Sequence, residues 1–191
     1  MIEVIDAASA RAALTAGKLT RPDCVGVLGP WGRARERTVA GLSGERLTVR
    51  PDRACCRSCA ATHVLLPADL LVGCAYRVQV VGAALLRASL GHGRRSIAAQ
   101  LAVPASTVAR WTRRLTSSAE PLRGHLLRRI VAIDQEFVPQ LAHRDPRADA
   151  LEALGALVQA VARRWQSPAV DPWRLLALET GGRLLVPRPA Y

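Results

Sequence analysis

The sequence predicts a mainly α-helical protein with a small β-rich module near its N-terminus. Half of the 191 residues are hydrophobic but only 4% are aromatic. Segments rich in Ala, Leu and Val with few aromatics are typical of packed helices. Residues 21–66 depart from this pattern, because Gly, Pro and Arg become frequent there and short alternating segments appear. The length suits one ordinary domain or two or three small ones.

The change in pattern divides the chain into four parts. Residues 1–20 form a lead-in with one weak helix, and residues 21–70 form the β-rich module. Residues 71–118 form a helical unit, and residues 119–191 form a C-terminal helical region. A module of about 45 residues rarely buries enough apolar surface on its own, and a bound metal commonly supplies the missing stability.

Three strands are expected in the module. The segments RARERTVA (residues 33–40) and ERLTVRP (residues 45–51) alternate enough to form strands, and GLSG between them is a turn. The segment THVLLP (residues 62–67) is expected to form a third short strand. A β-hairpin of this kind can bring residues that are distant in sequence to one end of a sheet.

Cysteines are placed at both ends of this predicted hairpin. Cys56 and Cys59 form a C-x-x-C, whose turn can aim both sulfurs at one ion. Upstream, RPDCVGVLGPWG offers Cys24 in a similar turn, but Arg21 occupies the position where a first ligand would stand. This arrangement predicts a zinc-ribbon-like domain that holds a structural Zn²⁺.

Structural zinc takes four ligands, so one more is needed. His63 follows Cys59 by four residues and would complete an ordinary Cys₃His set. Cys55 is the alternative, although its side chain should point away from that of Cys56 in an extended chain. We therefore predict Cys24, Cys56, Cys59 and His63 as ligands. The competing interpretation is that hydrophobic packing around Trp31 holds the module without metal, and Cys74 is expected to be a core residue.

The helical unit contains the strongest motif. A first helix is expected in YRVQVVGAALLRASL (residues 76–90), and two shorter helices are expected in RRSIAAQLAV and STVARWTRRL, split by Pro104. Residues 94–114 match a helix-turn-helix. Its core positions would be Ile97, Leu101, Val108 and Trp111, with Ala98 as the small residue at the crossing, Ala102 and Val103 in the turn, and Ser106 or Thr107 as the cap of the second helix.

The outward face of this motif suits DNA. Seven arginines and no acidic residue lie between Arg77 and Ala119, and the whole chain has a net charge of +12. Arg110 could contact a guanine, whereas Arg113 and Arg114 are better placed for phosphates. The predicted DNA-binding residues are Arg94, Arg95, Ser106, Thr107, Arg110, Arg113 and Arg114. The alternative is an ordinary helical hairpin with a basic face.

Helices are also expected in the C-terminal region. Pro121 is expected to open PLRGHLLRRIVAIDQEFVPQL, and Asp145 and Asp171, each followed by Pro, are expected to begin two more helices. The last helix should end at Gly181-Gly182. An apolar stripe of Leu151, Leu154, Leu157, Val158, Val161 and Trp165 is expected to pack on the helical core, or alternatively to form a homodimer surface.

Several classes of protein are disfavoured. The N-terminus lacks the apolar stretch of a secretory signal, and no apolar run is long enough to span a membrane. We expect a cytoplasmic, nucleoid-associated bacterial protein with reduced cysteines. Catalysis is not expected, because Asp134 and Glu136 stand two apart on a predicted helix and would face different directions. No carboxylate set suited to a two-metal transposase site is found.

Together these features resemble the N-terminal parts of insertion-sequence transposases. The phrases CRSCAATHVLLP and SIAAQLAVPASTVARW are similar, more closely, to a family of uncharacterised helix-turn-helix proteins from high-GC bacteria. The resemblance covers residues 21–116 and implies a transposase-like zinc ribbon before a homeodomain-like unit. It also implies that Cys24, Cys56 and Cys59 are zinc ligands, with Arg21 replacing the usual first Cys.

The sequence thus predicts a protein that binds double-stranded DNA and recognises its sequence through the helix-turn-helix. It would be transcription-regulatory or transposase-derived and without catalysis. Two alternatives stay open. One is a protein-interaction adaptor of a mobile-element or phage-like system, and the other is a truncated transposase that lacks its catalytic domain.

Overall fold

The computed structural model describes residues 1–21, 23–24, 26–137, 145–166 and 170–186. About 49% of the described residues are helical and 19% are in strands, which confirms a mainly α protein with a small β part. The strands are β1 Ile2–Val4, β2 Leu28–Arg33, β3 Arg37–Ala40, β4 Arg46–Val49, β5 Asp52–Cys56 and β6 Thr62–Pro67. The helices are α1 Ala7–Thr15, α2 Val78–Ser89, α3 Arg94–Leu101, α4 Ala105–Ile133, α5 Pro146–Trp165 and α6 Pro172–Glu179.

Four strands form a mixed sheet in the order β1-β6-β5-β2. β1 runs parallel to β6, and both β6 and β2 run antiparallel to β5. Residues 1–20 therefore contribute a strand to the same sheet as the cysteine-bearing strand. β3 and β4 form a separate hairpin in which Arg37 pairs with Val49, as the alternating segments predicted. The prediction that this hairpin brings the cysteine turns together is wrong, because β2 and β5 pair beside Cys56 instead.

The module has a small core of its own between the sheet and α1. It consists of Val4, Ala10, Leu14, Leu28, Ala54, Cys56 and Leu65. The interpretation that Trp31 organises this packing is wrong, because Trp31 is 56% exposed. A tryptophan on an edge strand meets no opposing layer here, so its ring stays in solvent.

The helical region is built around a much larger core. Ile97, Leu101, Val108 and Trp111 are all buried in it, which confirms the predicted inward positions of α3 and α4. Trp111 also packs edge-on against Tyr76 at 5.2 Å between ring centroids. Cys74 belongs to the same core, as expected for a small apolar side chain.

α4 is longer than the sequence indicated. Pro121 was expected to open a new helix, but it lies inside one continuous helix of 29 residues. A proline costs one backbone hydrogen bond and introduces crowding in a helix interior. The buried residues Ala119, Leu122 and Leu126 flank it on the face that packs in the core, so burial offsets that cost. The segment predicted to continue to Leu141 ends as a helix at Ile133, and residues 138–144 lie outside the described residues.

Two of the helix N-caps predicted from the sequence are confirmed, and the one predicted for α4 is wrong. Asp145 accepts a hydrogen bond from the backbone N–H of Arg147, and Asp171 accepts from those of Trp173 and Arg174. Neither Ser106 nor Thr107 caps α4, because the helix already begins at Ala105 and Pro104 takes the cap position without a side-chain hydrogen bond.

Of the C-terminal helices, α5 packs against α4, and α6 packs against α2 and α5. On α5, Leu154 and Leu157 are buried in the helical core, whereas Trp165 at the end of the same stripe is 61% exposed. After α6 the chain turns at Gly181 and Gly182, both with positive φ, as the double glycine predicted. None of the helices described above combines the length and apolar composition that a bilayer crossing demands.

Candidate metal centre and candidate nucleic-acid interface

Three cysteines meet at one end of the sheet. Cys56 ends β5, Cys59 lies in the turn that follows, and Cys24 lies in the loop before β2. The Sγ atom of Cys24 is 3.5 Å from those of both Cys56 and Cys59, and the three sulfurs lie within 4.8 Å of one another. This cysteine cluster could bind a metal ion.

The sheet brings the two cysteine turns together. Leu28 on β2 pairs with Cys56 on β5, and the N–H of Arg57 donates to the carbonyl of Val27 at 2.9 Å. Gly26 allows the closest approach, because a Cβ there would lie 2.5 Å from the Sγ atom of Cys56. Any larger residue at Gly26 would push the two turns apart.

Backbone N–H groups stabilise charge on the sulfurs. The N–H of Ala61 hydrogen-bonds to Cys59 and, with Cys56, Cys24 and Arg21, lowers the pKa of the Cys59 thiol to about 6. The N–H of Gly26 favours the Cys24 thiolate in the same way, but its neighbours Cys56 and Cys59 raise the pKa of Cys24 above its ordinary value overall. The lowered pKa of Cys59 thus favours a thiolate at that position.

Arg21 lies directly against this cluster. Its Nη1 is 3.0 Å from the Sγ atom of Cys59, and its Nη2 is 2.8 Å from a carboxylate oxygen of Asp23. The hydrogen bond to Cys59 raises the pKa of the Arg21 guanidinium. The sequence analysis noted only that Arg21 stands where a first ligand would be expected, and it did not predict the contact with the sulfurs. The position of Arg21 in the same RPDC turn as Cys24 is the feature that could have indicated this contact.

The structure does not bring His63 to the cluster. Its Nδ1 lies 3.4 Å from the N-terminal amine, and burial lowers the pKa of the ring. The pairing of β5 with β6 explains this position, because His63 stands opposite Ala54 rather than opposite the turn at Cys59. The expected fourth ligand is therefore outside the sulfur cluster.

Cys55 does not join the cluster either. Its Sγ lies 3.5 Å from the carbonyl oxygen of Ala60 and 3.7 Å from that of Cys56. The alternation of side chains along β5 turns it away from Cys56, as the sequence suggested. Within the described part of the chain, the group of candidate metal ligands consists of Cys24, Cys56 and Cys59.

A second feature lies on the first turns of α4. An open groove of about 520 Å³ is lined by Ser106, Thr107, Arg110, Arg113, Arg114 and Ser117. Five of the seven residues predicted to bind DNA therefore share one surface, and Ser117 joins them. Arg94 and Arg95 are exposed on the first turn of α3 and do not line this groove.

The arginines of this surface differ from two others further along the chain that form ion pairs. Arg129 pairs with Glu179, and Arg163 pairs with Asp134, which places Asp134 in an ion pair rather than in a carboxylate site. Among the described residues, Arg110, Arg113 and Arg114 form no ion pair with a carboxylate. Their charge is therefore available to an external anion.

α3 is held in place by a contact that the sequence did not reveal. The Nε of Arg87 on α2 donates to the Oε1 of Gln100 on α3 at 3.0 Å. Between α3 and α4, Ala102 adopts a left-handed conformation with φ 50°, and the N–H of Val103 donates to the carbonyl of Ala98. These contacts define the short connection before the basic face.

Comparison with family models, with curated proteins and with solved structures found no match to this chain. Function must therefore be inferred from the residues themselves.

Proposed function

We propose that this is a DNA-binding protein in which α3 and α4 act as a helix-turn-helix. The observation that supports it best is the groove on the first turns of α4, where three arginines without carboxylate partners stand beside two serines and a threonine. Clustered, unpaired arginines on one helix face match the charge of the phosphate backbone. The net charge of +12 points in the same direction.

In this proposal α4 is the recognition helix. Its N-terminal residues would enter the major groove, where Arg110 could donate two hydrogen bonds to a guanine. Arg113 and Arg114 would hold phosphates, as would Arg94 and Arg95 at the start of α3. The N-terminus of α4 has no side-chain cap, so its positive end is also available to a phosphate.

The role that follows is sequence recognition, transcription-regulatory or transposase-derived, without catalysis. The cysteine cluster would be a structural Zn²⁺ site that holds the two turns of the β module together. Thiolates are the usual protein ligands of structural zinc, and the core of the module is small. Metal and burial would thus share the stabilisation of this part.

The test is selection from randomised double-stranded DNA at about 50 and 200 mM salt, followed by affinity measurements on the enriched site. We expect an enriched motif. Arg110→Ala should weaken binding to it by about 5- to 150-fold, equivalent to about 1–3 kcal/mol, and relax the preference at one base pair.

Arg128→Ala is the matched control. It removes the same charge from the same helix, about 27 Å further along the axis, where α4 is no longer near the groove. Its effect should stay within about twofold at the higher salt concentration, because surface charges beyond a Debye length are screened. Equal effects of the two substitutions, with no enriched motif, would refute sequence recognition and favour a role in protein interaction.

A further inference from the structure

We propose that the cysteine cluster binds a divalent metal through three thiolates only, with Arg21 beside the ion and a fourth position open to an exchangeable ligand. This inference rests on the proposed metal site and adds its coordination and its reactivity. It separates this chain from an ordinary closed zinc ribbon, in which four protein ligands leave no room for exchange.

The three sulfurs are already arranged for an ion. Cys24, Cys56 and Cys59 come from two turns that β2 and β5 hold together. Backbone N–H groups of Gly26 and Ala61 point at Cys24 and Cys59, and such donors stabilise coordinated thiolates. Binding would release the remaining thiol protons.

No fourth protein ligand is in place among the described residues. The ring of His63 lies outside the group of close ligand atoms, with Nδ1 against the N-terminal amine and a buried Nε2 that has no hydrogen-bond partner. The sulfur of Cys55 faces backbone carbonyls. The carboxylate of Asp23 is 71% exposed and already paired with Arg21. The described part of the cluster therefore supplies three donors, one fewer than a tetrahedral ion takes.

Arg21 cannot replace the missing ligand, but it can balance the charge. A guanidinium stays protonated and has no acceptor lone pair, so it cannot coordinate a cation. A divalent ion with three thiolates carries one net negative charge, and the guanidinium 3.0 Å from Cys59 cancels it. A neutral ligand, water or a nitrogen donor, keeps this balance, so that is the class we assign to the open position.

The experiment uses the full-length protein loaded with Co²⁺, whose absorption reports both thiolate ligation and geometry. Wild type should show charge-transfer bands for three thiolates. Added imidazole should shift the ligand-field bands in a saturable way, because it replaces water at the open position. Asp23→Ala and His63→Ala should leave this response unchanged.

Arg21→Cys is the decisive variant. It restores a thiolate at the position of the fourth ligand, so the charge-transfer intensity should rise by about a third and the imidazole response should vanish. Affinity for Zn²⁺, measured by competition with a chromophoric chelator, should increase at least about tenfold. Arg21→Ala should keep the imidazole response and lose affinity by about 10- to 100-fold, the usual effect of removing an outer partner.

Other results would overturn the proposal in distinguishable ways. A wild-type spectrum that ignores imidazole until His63 or Asp23 is replaced would show that this residue is a fourth ligand. Metal binding by Arg21→Cys but not by wild type would show that three thiolates are insufficient. Failure of every variant to bind Co²⁺ or Zn²⁺ would remove the proposed metal site itself.

Discussion

The two halves of the molecule are stabilised in different ways. The helical region buries 25 residues in one core, including Trp111 and residues from α2 to α6. The β module buries seven in its main core, and one of these is the cysteine Cys56. Apolar burial of about 25 cal/mol per Å² can support the first region unaided, whereas a core as small as the second needs additional cross-links. From this comparison we expect that a metal in the cysteine cluster would be coupled to the folding of the β module and not to that of the helical region.

The two regions nevertheless meet through defined contacts. Ala40 of β3 bridges to Tyr76, and the N–H of Val78 donates to the carbonyl of Asp69. Arg174 on α6 donates to the carbonyl of Ile5. A small apolar cluster of Val39, Leu66 and Leu70 packs beside them with Val49 and Val72. It is separate from the 25-residue helical core, so loss of order in the module should leave that core intact.

The largest effect is expected in the helical core. Trp111→Ala should lower the free energy of unfolding by about 3–5 kcal/mol, because it removes a fully buried ring and its edge-on contact with Tyr76. Denaturant titration followed by circular dichroism would measure this loss. Trp165→Ala, which truncates a 61% exposed ring, is the control and should change stability by less than about 0.5 kcal/mol. Similar losses in the two variants would contradict this description of the core.

Metal removal should destabilise the β module. Metal at about 1,000 times its dissociation constant would stabilise the module by about 4 kcal/mol, and a chelator would remove that contribution. Hydrogen exchange should then accelerate in β2, β5 and β6 while α4 and α5 stay protected. Cys56→Ala should reproduce the exchange pattern without chelator, and Cys74→Ala, in the helical core, should not. Uniform exchange across both regions would refute the one-sided coupling.

Replacing each of two helical glycines by Ala should change the free energy of unfolding in opposite directions. In Gly82→Ala the new Cβ would lie 2.0 Å from Trp173, so repacking should cost about 1–3 kcal/mol. In Gly155→Ala the Cβ meets nothing within 4 Å, and the better helix propensity should add about 0.5–1 kcal/mol to stability. Thermal and denaturant unfolding would measure both. If Gly82→Ala stabilised the protein as Gly155→Ala should, α2 and α6 would be less tightly packed than described.

The smallest changes in the free energy of unfolding are expected from the loss of a helix N-cap, and they should be similar in the two regions. Asp6 caps α1 beside the sheet, and Asp145 caps α5 in the helical region. Replacing either by Ala should cost about 1 kcal/mol, because each leaves one helix N–H without its acceptor. Ser106→Ala is the control and should stay within about 0.5 kcal/mol, since Ser106 lies inside α4. A full cap loss at Ser106 would place the start of α4 later than described.

Local patterns predicted the elements whose signals lie within a few residues. The inward positions Ile97, Val108 and Trp111 follow from the helical period, and the caps at Asp145 and Asp171 follow from side-chain chemistry. The same reasoning was wrong at Pro121, where a local breaker lies in a helix that tertiary packing maintains. Sequence spacing also made His63 a predicted metal ligand, whereas the close group of candidate ligands in the structure is Cys24, Cys56 and Cys59.

The sequence by itself determined where most helices lie, which face of α3 and α4 is buried, and that three cysteines lie in two short segments of the β module. These properties depend on periodicity and spacing along the chain. Only the tertiary structure decided that α4 is continuous, that β1 joins the sheet, and that Arg21 rather than His63 stands beside the sulfurs. The register of β5 with β6 and the packing of α5 on α4 set those outcomes. Both arise between segments distant in sequence, where local propensity carries no information.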